Sequence, residues 1–325
     1  MSKIEKAVSQ DNFKLAQVFT IARGSKTQAD VITVTLKRGD HTGYGESVPY
    51  ARYGETMDSV EAEVMSLPAE FDRDTLRDLL PAGAARNAVD CALWDLEAKE
   101  AGKPAWELAG ISAPSAEITA YTLSLETPEK MQAQAAENAF RPLLKTKLGG
   151  GQEDVARIKA VRAGAPDSRI IVDANEGWTP ELYKELAPVL VDLGVEMVEQ
   201  PFPAGEDDAL LTLERVLPVC ADESCHDSSS LAELKGKYDI INVKLDKTGG
   251  LTEAFKLRDD ALAQGYKVMV GCMVGSSLAM APAVLVAQGA AIVDLDGPLL
   301  LGEDRENPLY FDEQGVHPAD ANLWG

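Results

Sequence analysis

The stretch R-P-L-L-K-T-K-L-G-G-G, Arg141 to Gly151, sets two lysines, Lys145 and Lys147, inside an apolar run. In an extended strand, side chains at i and i+2 point to the same face. Two ammonium groups then share a face beside leucines, which costs both repulsion and lost hydration. A surface edge strand would carry such a pair cheaply. The flanking sequence argues for another arrangement. Downstream come R-I-I-V-D-A-N from Arg169, V-E-M-V-E-Q-P from Val195, V-C-A-D-E-S from Val219 and D-I-I-N-V-K-L from Asp239. Each is a short apolar run that closes on charged side chains.

The same rhythm extends both ways, to I-T-A-Y-T-L-S-L upstream and to K-V-M-V-G-C-M and A-I-V-D-L-D-G downstream. Eight strands are predicted, starting near residues 118, 143, 169, 195, 219, 239, 267 and 291. Helical patterns fill the gaps, and the spacing suits βα units. Eight parallel strands close naturally, so the predicted fold is α/β with a TIM-type barrel. No G-x-G-x-x-G follows a strand, and G-G-G at 149–151 lacks that spacing, so it is read as a turn.

The first third differs. A-D-V-I-T-V-T-L-K (Ala29–Lys37) and T-G-Y-G-E-S-V-P-Y (Thr42–Tyr50) alternate around K-R-G-D-H, a hairpin signal. I-A-R-G-S-K-T-Q before it and A-R-Y-G-E-T after it read as loops. Met57–Leu67 and Ala84–Ala101 read as helices, the second stopped by Gly102 and Pro104. The tail after Gly302 has no barrel period and is expected to return to the first domain. The division is residues 1–115 as an α+β capping domain, 116–300 as the barrel and 301–325 as the returning segment.

With 325 residues, 45% hydrophobic and 26% charged, the chain has ample material for a core. Its net charge of −22 argues against nucleic acid and anionic membrane as partners, since both need basic surface. M-S-K-I-E-K-A-V-S-Q has no apolar h-region and no run approaches a membrane span, so a cytoplasmic location is expected. Cys91, Cys220, Cys225 and Cys272 read as reduced core thiols. Only His41, His226 and His317 are present, with no paired spacing, which argues against a zinc or nonhaem iron centre. Acid–base work must fall to lysine or carboxylate.

In a barrel of this kind, chemistry sits at the C-terminal ends of the strands. Lys145 and Lys147 close the second strand, Asp173 the third, Glu199 the fourth, Asp222 the fifth and Lys244 the sixth, while Asp294 and Asp296 close the eighth. One acid at a strand end is usually an N-cap for the next helix. Three in consecutive units at one register are not. Crowded carboxylates repel unless a cation lies between them, and an all-oxygen set suits Mg²⁺, with Mn²⁺ as a substitute.

The segments K-T-K, V-D-A-N-E, V-E-Q-P, A-D-E-S and N-V-K-L-D-K-T-G-G-L resemble the muconate-lactonizing branch of the enolase superfamily. I-A-R-G-S-K, P-Y-A-R-Y-G-E, P-A-G-A-A-R-N-A-V-D-C-A-L-W-D-L, C-A-D-E-S-C-H and D-L-D-G-P narrow the resemblance to the bacterial L-Ala-D/L-Glu dipeptide epimerases of murein peptide recycling. It covers nearly the whole chain. The resemblance implies a modified (β/α)7β barrel under an α+β capping domain, with Asp173, Glu199 and Asp222 binding Mg²⁺. It implies Lys147 and Lys244 as the two acid/base residues, and Lys145 as a lasting cation beside the substrate carboxylate. Asp294 and Asp296 would receive the dipeptide's α-ammonium group, and Arg23 the glutamyl side-chain carboxylate. No role is implied for the loop Met273–Ser277.

The chemistry fits these residue types. Inverting a Cα–H centre takes a proton from one face and returns one to the other, and the second and sixth strands of an eight-stranded barrel face each other. A lysine free in water is almost wholly protonated at neutral pH. A second ammonium group and a nearby divalent cation favour the neutral amine a base needs. A lysine base with Mg²⁺ is the superfamily's general pattern. Within the branch, the rivals are a cycloisomerase, an o-succinylbenzoate synthase and an N-acyl amino acid racemase, against which the D-L-D-G acids favour a free ammonium. A Schiff-base aldolase gives no reason for three ordered acids. A non-catalytic cation-binding protein leaves the lysines unexplained. The sequence leaves a homo-oligomer open.

Overall fold

In the computed structural model, which describes residues 3–325, eight buried apolar side chains form a plug of their own. Ala120, Leu143, Ile171, Met197, Cys220, Ile240, Met269 and Ile292 each come from a different stave of one parallel sheet. The staves are β4 (Tyr121–Leu123), which Ala120 immediately precedes, β5 (Leu143–Lys147), β6 (Arg169–Asp173) and β7 (Val195–Glu199). Then follow β8 (Val219–Ala221), β9 (Ile240–Val243), β10 (Lys267–Gly271) and β11 (Ile292–Asp294). Neighbours in sequence are neighbours in space, from β4 to β11. The sheet closes on itself: Thr119 bridges Val293 in parallel, and the Ala120 N–H donates to Val293 O at 2.8 Å.

Helices of a turn or more follow β4, β5, β6, β9 and β10, while short helical turns serve β7 and β8. After β11 there is only a 3-10 turn at Gly297–Leu300. The architecture is therefore a (β/α)7β barrel. The large core lies between staves and helices, with Leu144, Ile170, Val198 and Val243 pointing outward to it. Burial of a side chain of this size contributes about 1.5–3 kcal/mol relative to exposure.

The capping domain is an antiparallel sheet, β1 (Glu5–Ile21), β2 (Gly24–Arg38) and β3 (His41–Ser47), backed by α1 (Met57–Ser66), α2 (Arg73–Leu79) and α3 (Ala84–Ala101). Its core is separate from the barrel's and includes Ile32, Val34, Leu36, Val60 and Leu93. Gly43 and Gly45 allow β3 to lie directly on α3. A Cβ at Gly45 would stand 2.1 Å from Ala88 O, and one at Gly43 would stand 2.2 Å from Ala92 O. The hairpin and both sequence-predicted helices are present. Two features differ from the sequence reading. The stretch taken as a loop around Arg23 is the tip of a long β1–β2 ribbon, whose exposed polar residues give no apolar alternation to read. The short helix α2 went unread because its seven residues bury only Leu76.

Cap and barrel meet through α3 and the segment after β9. Arg86 donates to the carbonyls of Gly249 and Thr248, Asn87 donates to Asp246, and Asp90 accepts from the Thr252 N–H and hydroxyl. The C-terminal segment binds the cap as well. The Gly302 N–H donates to Lys14 O, Trp324 Nε1 donates to Cys91 O, and Arg305 reaches Glu46. All four cysteines are free; three are buried, and Cys272 is half-buried beside the barrel mouth. Among the described residues no helix is long and apolar enough to cross a membrane.

Candidate active site

The site stands one pleat above the apolar plug. Because side chains alternate along a strand, adding two to each plug position gives the next inward layer. That layer contains Thr122, Lys145, Asp173, Glu199, Asp222, Asn242 and Asp294. One pleat higher come Lys147, Lys244 and Asp296. The parallel register sets Lys147 beside Asp173 and Asp173 beside Glu199. The two lysines that looked costly in the sequence are therefore inward-facing, and both are at least nine-tenths buried.

Three ammonium groups interleave the carboxylates. Lys145 Nζ donates to Asp294 Oδ2 at 2.7 Å and lies 2.6 Å from Glu199 Oε2 and 3.5 Å from Asp173 Oδ2. Lys147 Nζ bonds Asp173 Oδ2 at 2.5 Å, and Lys244 Nζ bonds Asp222 Oδ2 at 2.6 Å. Asp296 turns away, accepting from the Thr122 N–H at 2.6 Å. Lys145, Lys147, Lys244, Asp222, Asp294 and Asp296 border a cavity of about 240 Å³ between barrel mouth and cap.

Burial and charge set the protonation. Burial works against the Lys145 ammonium, but Asp294, Glu199 and Asp173 outweigh it and hold the group well above the usual lysine range. Lys244 is likewise opposed by burial and raised by Asp222 and Glu199. For Asp173, burial raises the carboxyl, and Lys147 with Lys145 brings it down to about 2. Burial, helped by Asp173 and Asp222, pushes Glu199 up to about 7 against the pull of Lys145. The Lys145–Glu199 ion pair lies outside hydrogen-bond geometry, so Glu199 Oε2 has no hydrogen-bond partner. Burial and Asp294 push Asp296 up to about 6.

Several contributors were not singled out from sequence. Lys247 is fully buried, donates to Asp222 Oδ1 at 2.6 Å and also bonds Asp222 O, so Asp222 is gripped from both sides. Asn242 Nδ2 donates to Glu199 Oε1 at 2.7 Å. Gln200 takes a positive φ of 35° and accepts from the backbone N–H groups of Asp222 and Ser224, which fixes the loop after β8. These residues lay inside quoted motifs, V-E-Q-P and N-V-K-L-D-K. Their roles depend on neighbours distant in sequence.

Arg23 reaches the cavity from the β1–β2 tip. Its terminal nitrogens contact Glu223 Oε1 at 2.8 Å, Glu176 Oε2 at 3.2 Å, Asn175 O at 3.2 Å and Tyr50 Oη at 3.3 Å. Burial disfavours the guanidinium charge, but Glu223 more than restores it. Arg52 joins the same Glu176 carboxylate. Met273 and Val274 border the cavity, and Ser276 caps the following helix.

Whether these side chains suit a divalent cation rests on donor type and orphaned atoms. As they stand, the carboxylates are turned to ammonium groups, and among the described residues no three Asp, Glu, His or Cys side chains gather at ligand spacing. The donors Asp173, Glu199 and Asp222 are nonetheless all hard oxygens on three adjacent staves, and Glu199 Oε2 is buried without a hydrogen bond. That chemistry fits Mg²⁺.

Comparison with known proteins agrees with this geometry. Residues 3–110 match the N-terminal domain of mandelate racemase/muconate lactonizing enzyme, and residues 128–313 match the enolase C-terminal domain-like family. The chain is 44% identical to the L-Ala-D/L-Glu epimerase of Escherichia coli over 316 residues, covering 95% of this chain and 98% of that one. It is also 44% identical to the N-acetyl-D-glutamate racemase of a Pseudoalteromonas species, covering 91% and 95%. A crystal structure of an Agrobacterium tumefaciens enolase family member with homology to dipeptide epimerases, with bound sodium and L-Ala-L-Glu, superposes with a TM-score of 0.97 at 50% identity, covering 99% and 100%. The Methylococcus capsulatus dipeptide epimerase complexed with Mg and L-Arg-D-Lys gives 0.90 at 29%, covering 98% of each chain. Epimerases and racemases are isomerases. On these grounds the chain belongs to the mandelate racemase/muconate lactonizing enzyme family of the enolase superfamily.

Proposed function

We propose that this isomerase epimerises L-Ala-D-Glu and L-Ala-L-Glu at the glutamyl Cα by a two-lysine 1,1-proton transfer, in the recycling of murein peptides in the cytoplasm. One observation carries the reading: Lys147 and Lys244 reach a single cavity from β5 and β9, four places apart in a ring of eight. A substrate Cα between them presents one face to each amine. One lysine takes the proton while the other returns a proton to the opposite face, and the roles exchange for the reverse reaction.

Asp173, Glu199 and Asp222 would hold Mg²⁺, or Mn²⁺ in its place. Bound there, the cation supplies positive charge against the substrate carboxylate as the adjacent carbon loses its proton. Lys145 adds a fixed ammonium group on the same side, so the site favours the more negative transition state over the ground state. The bonds from Lys147 to Asp173 and from Lys244 to Asp222 tie both acid/base residues to the ligand carboxylates. Asp294 and Asp296 would receive the α-ammonium group, and Arg23 the glutamyl side-chain carboxylate.

Racemisation of an N-acylated glutamate is the second reading, favoured by the Pseudoalteromonas relative. It lacks a partner for Asp294 Oδ1, a buried acceptor without a hydrogen bond, which an ammonium group would satisfy and an acyl group would not. The test is incubation with L-Ala-L-Glu and Mg²⁺ in D₂O. Epimerisation with deuterium entering the glutamyl Cα supports the reading. No exchange with the dipeptide, alongside exchange with N-acetylglutamate, overturns it.

A further inference from the structure

Asp173, Glu199 and Asp222 each divide their two oxygens in the same way. One oxygen of each accepts from a fixed structural donor. Asp173 Oδ1 accepts from the Asn175 N–H at 2.9 Å, Glu199 Oε1 from Asn242 Nδ2 at 2.7 Å and Asp222 Oδ1 from Lys247 Nζ at 2.6 Å. The other oxygen faces a lysine that lines the cavity: Asp173 Oδ2 meets Lys147, Glu199 Oε2 meets Lys145 and Asp222 Oδ2 meets Lys244. Asn242, on β9, and Lys247, in the turn after it, are both buried, and neither borders the cavity. Lys247 is tied down further by the carbonyls of Asp222 and Asn242. These two side chains therefore keep their partners when the cavity fills, whereas the cavity lysines are free to turn to a substrate.

We infer that Asn242 and Lys247 are positioning residues that limit Glu199 and Asp222 to one oxygen each toward the cation, and so set a preference for Mg²⁺ over Ca²⁺. The inference rests on the cation assignment in the reading above and deepens it. Mg²⁺ takes six ligands at about 2.0–2.1 Å and keeps several waters among them. Ca²⁺ takes six to eight oxygens at about 2.3–2.6 Å and often draws both oxygens of a carboxylate. A carboxylate with one oxygen committed to a buried donor suits the smaller ion and leaves the larger one short of ligands. Donors of this kind behind ligating groups tune metal affinity as strongly as many direct contacts do.

The test reads binding and not turnover. The rise in thermal midpoint over a concentration series of Mg²⁺ or of Ca²⁺ gives a dissociation constant for each ion in the wild type, Lys247→Met and Asn242→Leu. The wild type should bind Mg²⁺ more tightly than Ca²⁺. In each variant the ratio of the two affinities should move toward Ca²⁺ by about tenfold or more. A merely structural role would weaken both ions alike and leave the ratio unchanged. The two variants release different carboxylates, so either one decides the matter if the other does not fold. A wild type that binds Ca²⁺ as tightly as Mg²⁺, or a folded variant with the wild-type ratio, overturns the inference while the cation assignment stands. A wild type stabilised by neither ion overturns that assignment, and this inference with it.

Discussion

Lys147 and Lys244 stand on opposite walls of one barrel mouth, each hydrogen-bonded to the carboxylate of the next stave or one nearby, Asp173 at 2.5 Å and Asp222 at 2.6 Å. Opposed amines predict that the two lysines serve different faces of the substrate. Lys147→Ala and Lys244→Ala should each lower epimerisation by about a thousandfold or more. Each should still exchange the α-proton of one epimer with solvent, and the surviving epimer should differ between them. Proton NMR in D₂O reads both outcomes. Wild-type epimerisation in either variant would contradict the two-base arrangement.

Three carboxylates on adjacent staves would make cation binding a stability term. Chelation by EDTA should abolish activity reversibly, and added Mg²⁺ or Mn²⁺ should restore it. A cation at about a hundred times its dissociation constant adds about 2.7 kcal/mol to the folded state. Thermal unfolding with and without Mg²⁺ should therefore show a clear rise in midpoint, and Asp222→Asn should shrink that rise. Recovery with Zn²⁺ but not Mg²⁺ would speak against an all-oxygen site.

Asp246, two residues beyond Lys244 and turned to the cap, carries a pH dependence of its own. Burial raises its carboxyl to about 7 from an ordinary 3.8, while hydrogen bonds from the Val48 N–H and Asn87 pull it down. The folded state thus holds this proton more tightly than the unfolded chain does. The stabilisation is fully present below about pH 4 and disappears as pH rises through 7. Asp246→Asn keeps an oxygen for both donors and removes the buried charge. Its stability at pH 8 should exceed the wild type's by a few kcal/mol, on the order of 1.4 kcal/mol per pKa unit, with little gain at pH 4. Denaturant titrations at the two pH values measure this.

Arg305 fastens the C-terminal segment to the cap and to the barrel together. It pairs with Glu46 at 2.7 Å and also bonds Asp11, Thr33 and the Ser276 hydroxyl. Glu46 is fully buried, and Ser276 caps the helix that follows the Met273–Val274 loop at the cavity. Arg305→Met leaves that carboxylate without its cation. The expected cost is about 3–5 kcal/mol of stability. Glu46→Gln combined with Arg305→Met should recover part of it, and chemical unfolding of the single and double variants would show the recovery.

Much of this arrangement was legible in the chain. The positions of the eight staves followed from apolar runs with βα spacing, and closure into a barrel followed from their number. Asp173, Glu199 and Asp222 stood out because three acids occurred at the same register of consecutive units. The β1–β2 ribbon was legible only in part, since its outer half buries nothing and so shows no alternation. Lys247, Asn242 and Gln200 passed unassigned because each acts through a partner on another stave. Arg23 was visible as a cation in a cap loop, but Glu176 and Glu223 lie far along the chain, and their hold on it appears only when cap meets barrel.

What the chain determined alone was periodic: which residues face inward, which strand ends hold charge, and so which layer of a barrel is reactive. That follows because alternation along a strand is a property of the backbone, whatever surrounds it. What only the tertiary structure decided was partnership. Lys145 meets Asp294 because the first and last staves close the ring, and Arg23 meets Glu223 because a ribbon from one domain bends over the mouth of another. Contacts of that kind depend on closure and docking, and no local pattern encodes the distance between two segments that are far apart in the chain.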